Sequence, residues 1–284
     1  MNNLLYLLSV YILKFRRIFH RYGPGYSDSH YHGKDCPVCG SNAALVRRGM
    51  LWPELILQWK LSPAWANWID QREGLHCCNC KANLRSRQLA QCITDTMNNR
   101  LNINAKNLAE LCNMSQMQTQ VIAETNAAGE LHTFLSNLKE LHYSEYGSND
   151  PEVPSEDLQN LSYSDNYFDL VVNSDVLEHV PDVKLALAEI HRVLKPNGAY
   201  IFSVPVIWNQ AHTRCRASLR DGELIHILPP SYHGAEQEGR KDFIVFHEFG
   251  RDFIQTCEDS GFSIGLVKDS KNPALVTFIA NRKN

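Results

Sequence analysis

DLQNLSYSDNYFDLVVNSDVLEHVPDVKLALAEIHRVLKPNGAYIFSVP, residues 157–205, switches between two hydrophobic periods. Phe168-Asp169-Leu170-Val171-Val172 is apolar almost throughout, which predicts a buried strand. Val183, Leu187, Ile190 and Leu194 then recur at helical spacing and predict a helix with one apolar face. Lys195-Pro196-Asn197-Gly198 stops that helix, and Ala199 to Val204 reads as a second buried strand. Strand, helix, turn and strand in this order form a parallel unit of an open α/β sheet.

Elements on either side extend the same sheet. Leu108 to Met117 is predicted helical and leads into Val121-Ile122-Ala123-Glu124, the first strand. A short helix, Leu131 to Leu138, and a second strand, Leu141 to Glu145, follow. Ser148 to Asn160 is polar, with two prolines and four carboxylates, and reads as a loop. Asn209 to Asp242 is long, polar and irregular, the kind of segment that in a compact domain is functional or lacks order. His247 to Ser260 is predicted helical, stopped by Gly261, and Phe262 to Val267 and Leu275 to Asn281 read as closing strands.

The totals are those of a soluble globular protein of one or two domains: 284 residues, 44% hydrophobic, 21% charged, net charge -3. A sequence pI near 6.5 argues against a nucleic-acid partner held by bulk electrostatics. The first residues carry an apolar run from Leu4 to Leu13, followed by Lys14, Arg16, Arg17 and Arg21. This run is too short to span a bilayer, and its charges follow it, opposite to a signal peptide. Residues 1–22 therefore read as an amphipathic helix. It either touches an anionic membrane surface through residues 1–21 or packs on protein. The expected location is cytoplasmic, with the inner membrane face as the alternative.

There are 9 cysteines, an odd number without a disulfide framework, which fits a reducing compartment. Cys36-Pro37-Val38-Cys39 and Cys77-Cys78-Asn79-Cys80 are two C-x-x-C knuckles. Four thiolates suit a structural Zn²⁺, with Cys36, Cys39, Cys77 and Cys80 as ligands and no open coordination position. Cys78 lies next to Cys77, but only Cys77 keeps the two-residue spacer. A redox pair or free thiols are the alternatives. Between the knuckles, Ser62-Pro63 reads as a helix start, with Trp65, Trp68 and Ile69 on one face. Arg85 to Asn98 reads as a further helix. The module is placed at residues 23–100, zinc-ribbon-like, after a loop or linker from Tyr22 to Lys34.

Asp157, Tyr167-Phe168-Asp169-Leu170-Val171 beginning ten residues later, Asp175-Val176-Leu177-Glu178-His179-Val180, and Arg192 to Gly198 together resemble the class I S-adenosylmethionine-dependent methyltransferases. The resemblance runs from about Asn107 to Lys283 and implies a Rossmann-like sheet with helices on both faces, placed at residues 105–284. Asn83, Arg85 and Arg87 resemble a pattern in methyltransferases that carry an N-terminal zinc module. His226 to Gly234 and Phe249-Gly250-Arg251-Asp252 resemble a bacterial subgroup associated with glycan building.

A ligand of such a sheet sits at the carboxyl ends of the strands, where the first turn needs small residues. Here that turn is Glu124-Thr125-Asn126-Ala127-Ala128-Gly129, so Asn126 and Ala128 stand where the family pattern has its first two glycines. By resemblance, Glu124 orients the turn near the methionine end of the cofactor. Glu145 lies 21 residues after Glu124, the place of a carboxylate that accepts from ribose hydroxyls. By resemblance, Asp157 and Leu158 contact adenine, and Asn173 and Ser174 close the strand where methyl donor and acceptor meet. Asp169 reads as structural, and Leu177 and Val180 as packing residues. The loss of two glycines is damaging for a dinucleotide, whose pyrophosphate needs that turn, and tolerable for a donor without phosphate.

Methyl transfer to an oxygen needs a base near the acceptor. His233 is the expected base, with Tyr232 and His226 in the same segment, and Arg214 or Arg216 is expected to position an anionic or polyhydroxyl acceptor. The reading is thus methyl transfer from S-adenosylmethionine to a small-molecule or glycan hydroxyl. The rivals are an RNA methyltransferase with a zinc recognition module and a non-catalytic scaffold of the same fold.

Overall fold

The computed structural model describes residues 34–42, 44–51, 53–233 and 243–283. The predicted N-terminal helix with its membrane contact, nearly all of the linker before Lys34, and Gly234 lie outside the described residues. The chain divides into two compact units, one running to Leu111 and including Lys268–Leu275, the other Cys112–Val267 with the remaining C-terminal strand. The sequence reading ran its last domain unbroken through residues 268–275.

In the first unit, β1 (Leu45–Arg47) pairs antiparallel with β2 (Leu75–Cys77), Leu45 opposite Cys77. Two helices fill the gap, α1 (Pro53–Gln58) and α2 (Pro63–Gly74). As its sequence implied, α2 starts at Ser62, whose hydroxyl accepts from Trp65 N at 3.3 Å, with Pro63 first in the helix. Asn83 caps α3 (Leu84–Leu101) by accepting from Ser86 N at 2.8 Å. Ahead of α4 (Leu108–Asn113), the amides of Leu108 and Ala109 donate to the carbonyls of Pro37 and Val38 in the first knuckle. Leu275 packs with Leu45, Leu75 and Leu84, and the fully buried Asn272 donates its side-chain amide to Trp68 O at 3.0 Å.

The second unit is built on six strands in the order β11-β12-β6-β5-β3-β4. These are β3 (Ile122–Thr125), β4 (Leu141–Ser144), β5 (Phe168–Ser174), β6 (Leu194–Ser203), β11 (Phe262–Lys268) and β12 (Val276–Arg282). β4, β3, β5 and β6 are parallel, and β12 runs antiparallel to β6. The short helix expected over residues 131–138 is one 3-10 turn at Gly129–Leu131 and α5 (His132–Leu135). Asp182 caps α6 (Val183–Val193), and Ala186, Leu187, Ile190 and Val193 are all fully buried against the sheet core. Asp169 is structural, accepting from Val121 N at 2.9 Å and Lys195 Nζ at 2.7 Å.

Lys195 to Gly198 does more than end a helix. It lies within β6 as a bulge: Phe168 pairs with Leu194, but Leu170 pairs with Ala199. Asn197 is left-handed at φ 62, and a Cβ on Gly198 would meet Lys195 O at 2.7 Å.

Two readings of the C-terminal half are corrected. The segment expected to be irregular holds β7 (Arg214–Cys215) and a hairpin of β8 (Ala217–Arg220) and β9 (Glu223–His226). Its turn is Asp221-Gly222, with φ 52 and 81, a pair that favours such turns. The helix expected from His247 is α7 (Phe253–Asp259), because β10 (His247–Glu248) pairs with β7.

Candidate functional site

The order of strands reverses at β3. The chain leaves β3 for β4 on one side and returns to β5 on the other, so a crevice lies beyond the carboxyl ends of these strands. Asn126, Glu145, Asp175 and Val204 each stand just past a strand end, on β3, β4, β5 and β6 in turn.

The turn after β3 forms without the two glycines. Asn126 takes the left-handed conformation at φ 62, which asparagine tolerates, and donates its amide to Ser144 O at 2.8 Å. Ala128 has a negative φ of -76, so alanine costs nothing there, and Gly129 carries the second left-handed angle, φ 62. Glu124 is fully buried below the turn and accepts from Ala128 N at 2.8 Å. Burial raises its pKa, and the bonds from Ala128 and His132 oppose that rise. His132 Nδ1 lies 2.6 Å from the second Glu124 oxygen, and its ring packs on Tyr143 with centroids 4.2 Å apart. Tyr143 in turn donates to the Glu145 carboxylate. Sequence reasoning missed His132 and Tyr143. Their one sequence signal is position: His132 opens the helix after the turn, and Tyr143 precedes the strand end by one residue.

Glu145 pairs by a backbone bridge with Ser155, which brings Glu156 and Asp157 beside the end of β4. Asp157 closes its own turn, accepting from Gln159 N at 2.9 Å and Gln159 Nε2 at 3.1 Å. Leu158 is buried in the core cluster that also holds Leu177 and Val180.

Asn173 has a different role from the one expected. Its side chain is fully buried, donating to Thr125 Oγ1 at 3.2 Å and accepting from Tyr200 OH at 2.8 Å. It ties β3, β5 and β6 together below the crevice, because a buried amide must be satisfied and these hydroxyls are in reach. Ser174 Oγ lies 3.0 Å from Ser203 Oγ, which donates to Asp175 at 2.8 Å.

The three residues expected at the acceptor side are not gathered together. His226 is an exposed strand residue of the hairpin, opposite Ala217. Tyr232 bridges to Ile244. His233 instead meets two residues just past β5: its Nδ1 is 3.7 Å from the fully buried Glu178, and its ring meets that of His179 edge-on at 4.9 Å. Arg216 is half-buried and paired with Glu248 of β10. Arg214 is exposed.

In the first unit the four predicted cysteines come together. Their sulfurs lie within 4.8 Å of one another, Cys36 to Cys80 at 3.7 Å and Cys39 to Cys77 at 4.0 Å. Four sulfurs at zinc-thiolate distance from one tetrahedral centre stand about 3.8 Å apart, so the set is sized for that ion. The contact with Cys80 holds the Cys36 thiol down at about 4 and pushes Cys80 up. Cys39 is also lowered: burial opposes it, but hydrogen bonds from Ser41 at 3.0 Å and Asn79 at 3.5 Å outweigh burial. Cys78 is exposed and outside the cluster.

Residues 106–202 match the family model described as a methyltransferase domain. Over 60 residues the chain is 43% identical to Probable polyketide synthase 15 of Dictyostelium discoideum, covering 21% of this chain and 2% of that protein. Among solved structures it is similar to 1,6-didemethyltoxoflavin-N1-methyltransferase of Burkholderia thailandensis, at 12% identity and TM-score 0.41, over 87% of this chain and 98% of that one. It is also similar to an S-adenosylmethionine dependent methyltransferase from Mesorhizobium loti, at 15% identity and TM-score 0.38, over 58% of this chain and 91% of that one. Residues 106–202 thus carry the likeness to a methyltransferase domain. The strand ends present a turn free of β-branched side chains at its left-handed positions, held by a buried carboxylate, with Glu145 just past β4. No helix among the described residues is long and apolar enough to cross a membrane.

Proposed function

We propose that this protein transfers a methyl group from S-adenosylmethionine to a hydroxyl of a small polar acceptor, a sugar or glycan. The observation that carries the reading is the turn after β3, where Glu124 holds Ala128 N at 2.8 Å and Asn126 replaces glycine at φ 62. When bound, the cofactor supplies a methyl group on sulfonium sulfur, lost to an attacking oxygen while the C–S electron pair stays on sulfur. Glu145 accepts from the ribose hydroxyls and Asp157 from the adenine amine. Asn126, Ala128 and Gly129 let the backbone approach, and Leu158 and Ser174 line the two ends. Asn173 holds the strands beneath. His233, at the rim beside Glu178, takes the proton that the acceptor oxygen gives up; Tyr232 and His226 belong to the same segment but not to the same cluster. In the first unit Cys36, Cys39, Cys77 and Cys80 hold a structural zinc.

Calorimetry with S-adenosylhomocysteine tests this reading. Binding is expected in the wild type and weakened at least about tenfold in Glu145→Ala, the loss of charge-assisted hydrogen bonds costing about 1.5–3 kcal/mol. No binding by the folded wild-type chain overturns it.

A further inference from the structure

We infer that Glu178, His179 and His233 form a divalent-cation site at the acceptor side of the sheet, distinct from the four-cysteine cluster. The inference rests on the methyl-transfer reading for its purpose but not for its geometry. The donor atoms of the three residues lie within 4.8 Å of one another. One Glu178 oxygen is 3.7 Å from His179 Nε2 and 3.7 Å from His233 Nδ1. That is too long for a hydrogen bond to either ring. It matches the span of about 3.4–3.7 Å between two ligands each about 2.1 Å from one ion at an open tetrahedral angle.

The second shell is that of a metal site. His179 Nδ1 donates to Ile244 O at 2.8 Å, which leaves the Nε2 lone pair facing Glu178. Three residues of one short segment, Phe243, Ile244 and Phe246, hold all three ligands. Phe243 O accepts from His233 N at 3.1 Å, Ile244 O holds His179, and Phe246 N donates to Glu178 O at 2.8 Å. A fully buried carboxylate and a half-buried imidazole are thus fixed from behind, while His233 comes from the rim, its side chain 31% exposed. Two imidazoles and one carboxylate leave coordination positions open, the arrangement of a catalytic rather than a structural ion.

With an ion bound, His233 Nδ1 is a ligand in place of the base: the cation lowers the pKa of a hydroxyl that reaches it, so the acceptor's proton leaves at neutral pH to a solvent base and the oxygen is ready to attack. Acceptors with two adjacent oxygens, such as sugar diols, suit the open positions.

The test uses the full chain with its cysteine cluster loaded with zinc, titrated with Mn²⁺ and followed by the electron paramagnetic resonance of the free ion. Mn²⁺ does not displace zinc from thiolates, so it reports the other donors alone. One Mn²⁺ per chain is expected, with affinity at least about tenfold weaker in Glu178→Gln and in His233→Ala and unchanged in His212→Ala, a surface control. His233 is on the rim, so its variant keeps the fold even if the Glu178 variant does not. No Mn²⁺ bound by the wild type, or equal binding by wild type and His233→Ala, overturns the site. The same samples are titrated with S-adenosylhomocysteine. Cofactor binding without Mn²⁺ sinks the cation site alone, and Mn²⁺ binding without cofactor sinks the methyl-transfer reading alone.

Discussion

Among the described residues, metal-ligating side chains gather in two places, and the two are built on opposite plans. The cysteine cluster has four sulfurs from two short knuckles, the pairs supplied by residues three apart. Glu178, His179 and His233 draw on two segments 54 residues apart, from His179 to His233, and the group is closed by backbone bonds from a third at Phe243–Phe246. A set of four soft thiolates satisfies an ion completely and holds a small fold together. Three harder donors, one of them at a rim, leave room for something else to bind. The difference teaches that local spacing marks sites that stabilise, while sites that act are assembled by the topology.

The largest expected effect separates the two by what each supports. Cys36→Ser should reduce zinc, measured by elemental analysis, from about one per chain to near zero, forfeiting a binding free energy of about 10–16 kcal/mol, and unfold the module. A folded, metal-free variant would erase the contrast. His233→Ala should do the reverse: zinc and the melting temperature stay, while turnover falls about 10²–10⁴-fold in a methyl-transfer assay. Unchanged turnover across pH would remove His233 from the chemistry.

A third change probes the scaffold below the second group. Tyr200→Phe leaves Asn173 without its donor in a fully buried position and should cost about 1–3 kcal/mol in urea unfolding. Cofactor affinity should change little, because the amide points into the sheet.

The smallest effect is on pH. Burial lowers the pKa of His247 and of His191 below the ordinary 6.5. As pH falls through about 6.5 the unfolded chain takes up protons before the folded one, so stability declines and levels off below the folded values. Melting temperature should drop modestly from about pH 7.5 to about pH 5.5, and less in His247→Gln. A flat profile would mean that neither ring loses its proton on burial.

Much of the fold was legible from Phe168 to Val204, where uninterrupted apolar runs and one strong helical stripe leave few alternatives. The cysteine cluster was legible for the same reason: spacing is local information. Ala217 to His226 was misread because all of β9 is exposed and gives no apolar run, although Asp221-Gly222 carried the turn. His247 was assigned to a helix because its pairing partner, Cys215, is 32 residues away. Asn173 was taken for a ligand contact because its place at a strand end is visible in sequence, while the hydroxyls of Tyr200 and Thr125 that consume its amide are not. Asn126 shows the converse. A missing glycine looks like a lost function until φ shows which positions need one.

Lys268–Leu275 counts with the first unit, where Asn272 donates to Trp68 and Leu275 completes a cluster with Leu45, Leu75 and Leu84. A ribosome delivers these residues more than 150 positions after Leu111, the last of the earlier residues in that unit. The knuckles can take up their ion early, but the hydrophobic cluster beside them waits for Leu275, far downstream in the chain. A chain released short of Leu275 would therefore leave Leu45, Leu75 and Leu84 without their fourth member and expose that apolar surface.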